Sequence, residues 1–309
     1  MTANRTLTSV AGVRVGHWAD SNAVTGVTVM IFPEPNVAAV ELRGAAPGTR
    51  EVGLLAPGMK VETIQALVFG GGSAFGLAAA DGVVRELESE GRGHPTMAGP
   101  VPIVPAAILY DLMVGDGSVR PGPADGAAAY RAATDDPVAE GSVGAGTGAV
   151  VAGWRGFENV RKGGLGSSAT TVDSAVVAAL VVANATGDVF TPDGASLTGG
   201  PSLPDGGPAM TRPLEHTTLV AVATDAALSR TDLMRFTVRA HDALALCLRP
   251  AHTRYDGDVV FAISCGSMAA DVDALGEAVF RVVAESVVRG VRSATSLGGV
   301  PTVGGETNP

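Results

Sequence analysis

His216-Thr217-Thr218-Leu219-Val220-Ala221-Val222-Ala223-Thr224-Asp225 is the stretch on which the reading of this chain turns. From Thr217 onward the run is apolar and partly β-branched, which predicts a buried strand. The residues before it behave differently. Positions 190–216 hold Pro192, Pro201, Pro204, Pro208 and Pro213 among many Gly and Ser, with no periodic pattern. Structureless stretches of that length are uncommon inside compact domains, where they are usually functional or flexible. They are also where chains are most readily cut.

Downstream, Ser229–Leu248 reads as a helix opened by Ser229, with Asp232 three residues on as a loose capping box. Val259–Ser264 reads as a strand, Val272–Val291 as a long amphipathic helix, and Gly298–Pro309 as a tail. Upstream, Val13–Trp18, Gly26–Phe32, Val37–Leu42 and Ile64–Phe69 read as strands, with a turn at Pro33-Glu34-Pro35-Asn36. A helix is expected over Ser73–Glu90 with Ser73 as N-cap, a short one over Ala106–Met113, and another over Gly122–Ala133. Ser142–Trp154, Ala169–Val172 and Ala175–Ala183 have the small and β-branched residues of buried strands. No internal repeat appears. The order predicts an α+β protein built in layers, one domain over 1–309.

With 46% hydrophobic and 17% charged residues in 309, a large core can form and disorder is not expected. Aromatics make up only 4% and glycines number 42, which lets strands and helices approach closely. The net charge is −10 and no Lys/Arg run exists, which argues against nucleic acid as a partner. Met1-Thr2-Ala3-Asn4-Arg5 lacks a signal peptide's apolar core, and no run of about 18 apolar residues is present. A cytoplasmic location with no membrane partner is expected. Cys247 and Cys265 form neither a disulfide framework nor a zinc pattern.

The glycine-rich turns at Gly70–Gly76 and Gly144–Gly148 fail the dinucleotide and P-loop spacings, so tight packing is the simpler account. No G-x-S-x-G elbow occurs. The five histidines show no metal spacing, and neither metal nor organic cofactor is expected. Asn184 reads as a turn asparagine or as an amide donor to an oxyanion. Asp256-Gly257-Asp258 reads first as a turn, and Lys162 as a surface lysine. The loop that ends in Thr217-Thr218 changes that weighting. A threonine hydroxyl is a poor nucleophile until a base sits beside it, and its own free α-amine can be that base. An α-amine has a pKa of about 8, so it is partly neutral at working pH. Such chemistry needs Thr217 to be a chain terminus, hence a cut between His216 and Thr217. Nothing in the composition singles out that bond.

Motifs along nearly the whole chain resemble the DmpA-like aminopeptidases, also called the L-aminopeptidase/D-esterase family. They are Val13-Arg14-Val15-Gly16-His17, Gly71-Gly72-Ser73-Ala74-Phe75-Gly76-Leu77, Val101-Pro102-Ile103-Val104-Pro105-Ala106, Gly144–Ala149, Lys162–Gly166, Ala183-Asn184, Thr217–Asp225 and Arg249-Pro250-Ala251-His252 with Asp256-Gly257-Asp258. Within the family the pattern looks closest to the nylon-oligomer (6-aminohexanoate oligomer) hydrolases. The resemblance implies an N-terminal-nucleophile hydrolase with a four-layer αββα sandwich that self-cleaves into a large chain, 1–216, and a small chain, 217–309. It implies Thr217 as nucleophile, Asp256 and Asp258 as the acidic pair that contacts it, and Lys162 and Asn184 as the site lysine and oxyanion-side asparagine. A partner such as Asp258 would keep Lys162 protonated. The resemblance further implies peptide or amide-oligomer substrates and assembly into homo-oligomers, tetramers included. His216 departs from the Asn or Gly that relatives carry before the cut. An acyltransferase like the ornithine acetyltransferases, and an uncut scaffold, are the rival expectations.

Overall fold

The computed structural model describes residues 4–209 and 215–304. Part of the proline-rich stretch (210–214), the end of the tail (305–309) and the first three residues lie outside the described residues.

Two five-stranded sheets carry the fold. The first contains β1 (Arg14–Asp20), β2 (Thr25–Ile31), β4 (Gly48–Arg50), β5 (Ala66–Gly70) and β6 (Ala106–Ile108), in the spatial order β1-β2-β5-β6-β4. The second contains β3 (Val37–Leu42), β7 (Gly164–Val172), β8 (Ala175–Ala183), β9 (Leu219–Ala226) and β10 (Val259–Met268), ordered β7-β8-β9-β10-β3. The β9–β10 pair is parallel, and its neighbours run antiparallel.

Both faces of these sheets are covered, which explains strands that read as unbroken apolar runs. Successive side chains point to opposite faces. Leu180 and Val182 of β8 pack with Leu67 and Phe69 of β5 in a core shared by the two sheets, whereas Val177, Ala179 and Val181 join a core with two helices. Phe69 and Phe261 meet across the sheets, centroids 6.0 Å apart. The first sheet's other face is covered by α1 (Ala79–Ser89) and α2 (Pro123–Arg131). The second sheet's other face is covered by α3 (Arg230–Cys247) and α4 (Val272–Arg292). Helix α4 approaches β7 so closely that a Cβ on Gly166 would lie 2.1 Å from the Ser286 carbonyl oxygen. Glycine there is a packing requirement.

Three expected elements differ. Ser73–Glu90 opens as a 3-10 turn over Ser73–Ala78 before α1 begins, and Ser73 makes no capping hydrogen bond. Gly76 is pressed against the Gly71 carbonyl, which fixes this tighter path. Ala106–Met113 is not helical: Ala106–Ile108 pairs with Val68–Gly70 inside the first sheet, so strand pairing overrides alanine's helix preference. Ser142–Trp154 is mostly irregular, with short 3-10 turns at Gly144–Gly146 and from Gly153 and a two-residue strand at Val150–Val151.

Candidate active site

Strand register brings the candidate residues to one end of the second sheet. Leu219 of β9 pairs with Val259 of β10 in parallel, so the residues just before the two strands lie side by side. Those are Thr217-Thr218 and Asp256-Gly257-Asp258. A parallel bridge between His216 and Asp256 extends the pairing one step further. Antiparallel β8 ends at Ala183 beside the start of β9, which places Asn184 next to Thr217. Gly164 of β7 pairs with Ala183, which brings Lys162 to the same end.

The hydrogen bonds tie this cluster together. The Thr217 N–H donates to the Asn184 carbonyl at 2.8 Å. The Thr217 hydroxyl donates to the His216 carbonyl at 2.6 Å, and the Gly257 N–H donates to the same oxygen at 2.9 Å. A Cβ on Gly257 would sit 2.7 Å from Thr217 Oγ1, so only glycine lets this backbone approach. The Asn184 side chain accepts from the Val150 N–H at 2.9 Å; its amide reaches the Tyr110 carbonyl only at 3.5 Å, which leaves donor capacity.

Neither carboxylate accepts a hydrogen bond from the Thr217 side chain in the uncut chain. Asp258 accepts from the Thr218 N–H at 2.7 Å and from His252 Nδ1 at 2.7 Å. Asp256 accepts from the hydroxyls of Thr186 and Thr253. Burial, then the Asp258 charge, push the Asp256 carboxyl above its usual range. Burial works against a charged His252, but the Asp258 hydrogen bond and charge outweigh it and raise its proton affinity.

Lys162 is fully buried, not a surface lysine, and donates to the Thr147 carbonyl at 2.7 Å. Burial pushes its ammonium down to about 7, and the opposing charge comes from Asp111, not from Asp258. Asp111 is itself buried. Burial raises its carboxyl, while the Gly72 N–H and Thr25 hydroxyl that it accepts at 2.7 Å pull it back. Asp111 has no signal in the sequence, because an acid inside Tyr110-Asp111-Leu112-Met113 carries no motif. Gly257 is visible there only as the middle of a turn.

His216 closes the site. It is 1% exposed and Thr217 is 4% exposed. Burial lowers the His216 imidazole to about 4, with the Asp258 charge and the Val150 backbone pulling the other way; neither ring nitrogen makes a well-formed hydrogen bond among the described residues. Beside the ring lies a cavity of only about 10 Å³, lined by Tyr110, Asp111, Met113, Val114, Val150 and Glu215. Among the described residues no His/Cys/Asp/Glu group has the arrangement of a metal site, and no helix is long and apolar enough to cross a membrane.

The fold is shared with solved structures of known hydrolases, one of them described as a variant of the Ntn hydrolase fold. The L-aminopeptidase D-Ala-esterase/amidase of Ochrobactrum anthropi, described as a variant of that fold, superposes with a TM-score of 0.77 at 23% identity, over 97% of this chain and 90% of that one. A Burkholderia sp. beta-aminopeptidase gives 0.75 at 22%, over 97% and 91%. Residues 5–303 match the model of Peptidase family S58, and the chain belongs to that family. It is 39% identical to an uncharacterized aminopeptidase of Mycobacterium leprae over 96% of this chain and 92% of that one. It is 28% identical to a 6-aminohexanoate-oligomer endohydrolase of Paenarthrobacter ureafaciens over 82% and 73%. The family expected from the motifs is therefore borne out, and the chain is an amide-bond hydrolase.

Proposed function

We propose that this chain cuts itself between His216 and Thr217 and that the freed Thr217 then hydrolyses peptide-like amide bonds. The observation that carries this reading is the convergence on one bond: the Thr217 hydroxyl lies 2.6 Å from the His216 carbonyl oxygen, and Gly257 donates to that oxygen. In the first stage Thr217 Oγ attacks the His216 carbonyl carbon. The carbonyl oxygen takes the negative charge, held by the Gly257 N–H. Collapse breaks the C–N bond, the hydroxyl proton passes to the Thr217 nitrogen, and an ester remains. Water opens the ester to a His216 carboxyl group and restores the hydroxyl.

In the mature enzyme the Thr217 amine is the base for its own hydroxyl. The Asn184 carbonyl, which accepts the Thr217 N–H in the uncut chain, is positioned to orient that amine. The Asn184 amide donates to the substrate oxyanion, a role worth about 10²–10³ in rate. Lys162 adds positive charge beside it. Asp258 fixes the Thr218 backbone, Asp256 braces Thr186 and Thr253 behind it, and the pair favours the ammonium when it is protonated. The first substrate reading is a peptide with a free N-terminus; ω-amino acid oligomers are the second, supported by similarity to the oligomer hydrolase. The three stacked cores support a four-layer αββα sandwich. Assembly into homo-oligomers follows the family.

Denaturing mass spectrometry is the test. The wild-type chain should give pieces of 216 and 93 residues, the smaller beginning at Thr217. Thr217→Ala should remain one piece without amidase activity. An intact wild-type chain with full activity would overturn the mechanism.

A further inference from the structure

Self-cleavage and turnover pass through the same kind of covalent species. In self-cleavage, Thr217 Oγ is esterified by the acyl group of His216 while the Thr217 amine is free. In turnover, the same Oγ is esterified by the substrate's acyl group beside the same amine. The two esters differ only in the group that the acyl carbon carries. His216, as it lies in the uncut chain, is therefore a tethered copy of the substrate's acyl half.

Its surroundings define what that half looks like. The His216 N–H donates to the Tyr255 carbonyl at 3.0 Å, and its carbonyl accepts from the Gly257 N–H at 2.9 Å. Together these form one residue of parallel β-pairing with Asp256. Backbone pairing of this kind supplies affinity, and the side-chain seat supplies selectivity. The seat is tight: a Cβ on Gly153 would lie 2.9 Å from His216 Nε2. Neither imidazole nitrogen makes a well-formed hydrogen bond among the described residues, and Asp258, the carboxylate whose charge reaches the ring, is already engaged by the Thr218 N–H and His252.

Resting on the self-cleavage reading, we propose that the groove His216 fills is the acyl subsite of the mature enzyme and that it takes an α-aminoacyl group with a compact, flat, uncharged side chain. The α-nitrogen donates to the Tyr255 carbonyl and the acyl oxygen accepts from Gly257. A 6-aminohexanoyl group has five carbons between its nitrogen and its carbonyl carbon. It cannot hold both contacts in the register of a single β residue. A lysyl group would bring a cation into a buried seat whose nearby carboxylate, Asp258, is already engaged by Thr218 and His252.

The experiment uses the self-cleaved wild-type enzyme and p-nitroanilides of L-histidine, L-alanine, L-lysine and 6-aminohexanoic acid. The histidyl amide should exceed the lysyl and 6-aminohexanoyl amides in kcat/KM by roughly tenfold or more. Equal or faster turnover of either of those two overturns the subsite. The second arm is Gly153→Ala, combined with His216→Ala so that self-cleavage is not obstructed. The ratio of histidyl to alanyl kcat/KM should fall by roughly tenfold; an unchanged ratio places the acyl group elsewhere. A wild-type chain that stays uncut and hydrolyses none of the amides sinks the functional reading itself, whereas a cut, active enzyme without this selectivity sinks only the subsite.

Discussion

Lys162 and Asp111 set the chemistry of the site at the scale of single residues. A lysine without solvent loses the hydration of its charge, and Asp111 returns only part of it, so the ammonium titrates near neutrality. In the proposed mechanism the charged form is the active one, so Lys162 contributes an alkaline limb near 7, against the rise that the Thr217 amine gives as it loses its proton. Asp111→Asn keeps an acceptor for the Gly72 N–H but deletes the charge that favours the ammonium. The alkaline limb of the kcat profile should then move to lower pH, by roughly one pH unit. A limb that stays in place would remove Asp111 from control of Lys162. The sequence makes Lys162 and Asp258 recognisable by motif, yet it hides their partners. Asp111 lies 51 positions before Lys162 and meets it only through folding. His252 stands in a family motif that gives it no role, and its bond to Asp258 depends on the path of the turn between them.

Strand starts do the positioning at the scale of elements. The parallel β9–β10 pair aligns Thr217 with the acidic turn, and that pair needs a firm flank. Arg230, at the first turn of α3, supplies part of it. It is nearly buried and donates to the carbonyls of Ala38 in β3 and of Ala56, Met59 and Val61 in the loop between β4 and β5. Hydrogen bonds from a charged donor are worth about 1.5–3 kcal/mol each, and a carbonyl left unpaired in a buried site adds a desolvation cost. Arg230→Ala should lower unfolding stability by about 3 kcal/mol or more, read from the urea midpoint. Arg230→Lys should recover little of it, because one ammonium cannot reproduce the planar fork. The helix itself is plain in the sequence: Ser229 and Asp232 form the capping box as expected. Long periodic segments and caps are local signals. β6 is not legible, since Ala106–Ile108 is a strand only because β5 lies beside it. The 3-10 turns over 144–155 escape a sequence reading for the same reason, their backbones being shaped by the packing around them.

Under the proposed mechanism the whole uncut molecule is a closed, inhibited form, because the residue that would leave is also the residue that seals the site. Its stability should record that seal. His216 is held neutral, with a proton affinity lowered by burial to about 4 against 6.5 in an unfolded chain. Between those values the unfolded chain binds a proton at this position and the folded chain does not, so stability falls as pH drops from about 6.5 to about 4. Two and a half pH units correspond to about 3 kcal/mol. His241 loses stability over the same window, while His252, whose affinity is raised, works in the other direction, so the total curve mixes several groups. A difference between two variants isolates one of them. Thr217→Ala keeps the chain uncut, and adding His216→Leu removes the titrating ring from the same seat. Urea midpoints from pH 7 down to 4 should fall more steeply for the single variant than for the double, the gap growing to about 3 kcal/mol at pH 4. Parallel curves would mean that the imidazole is solvated in the uncut chain, and with it would go the tight seat on which the acyl selectivity depends.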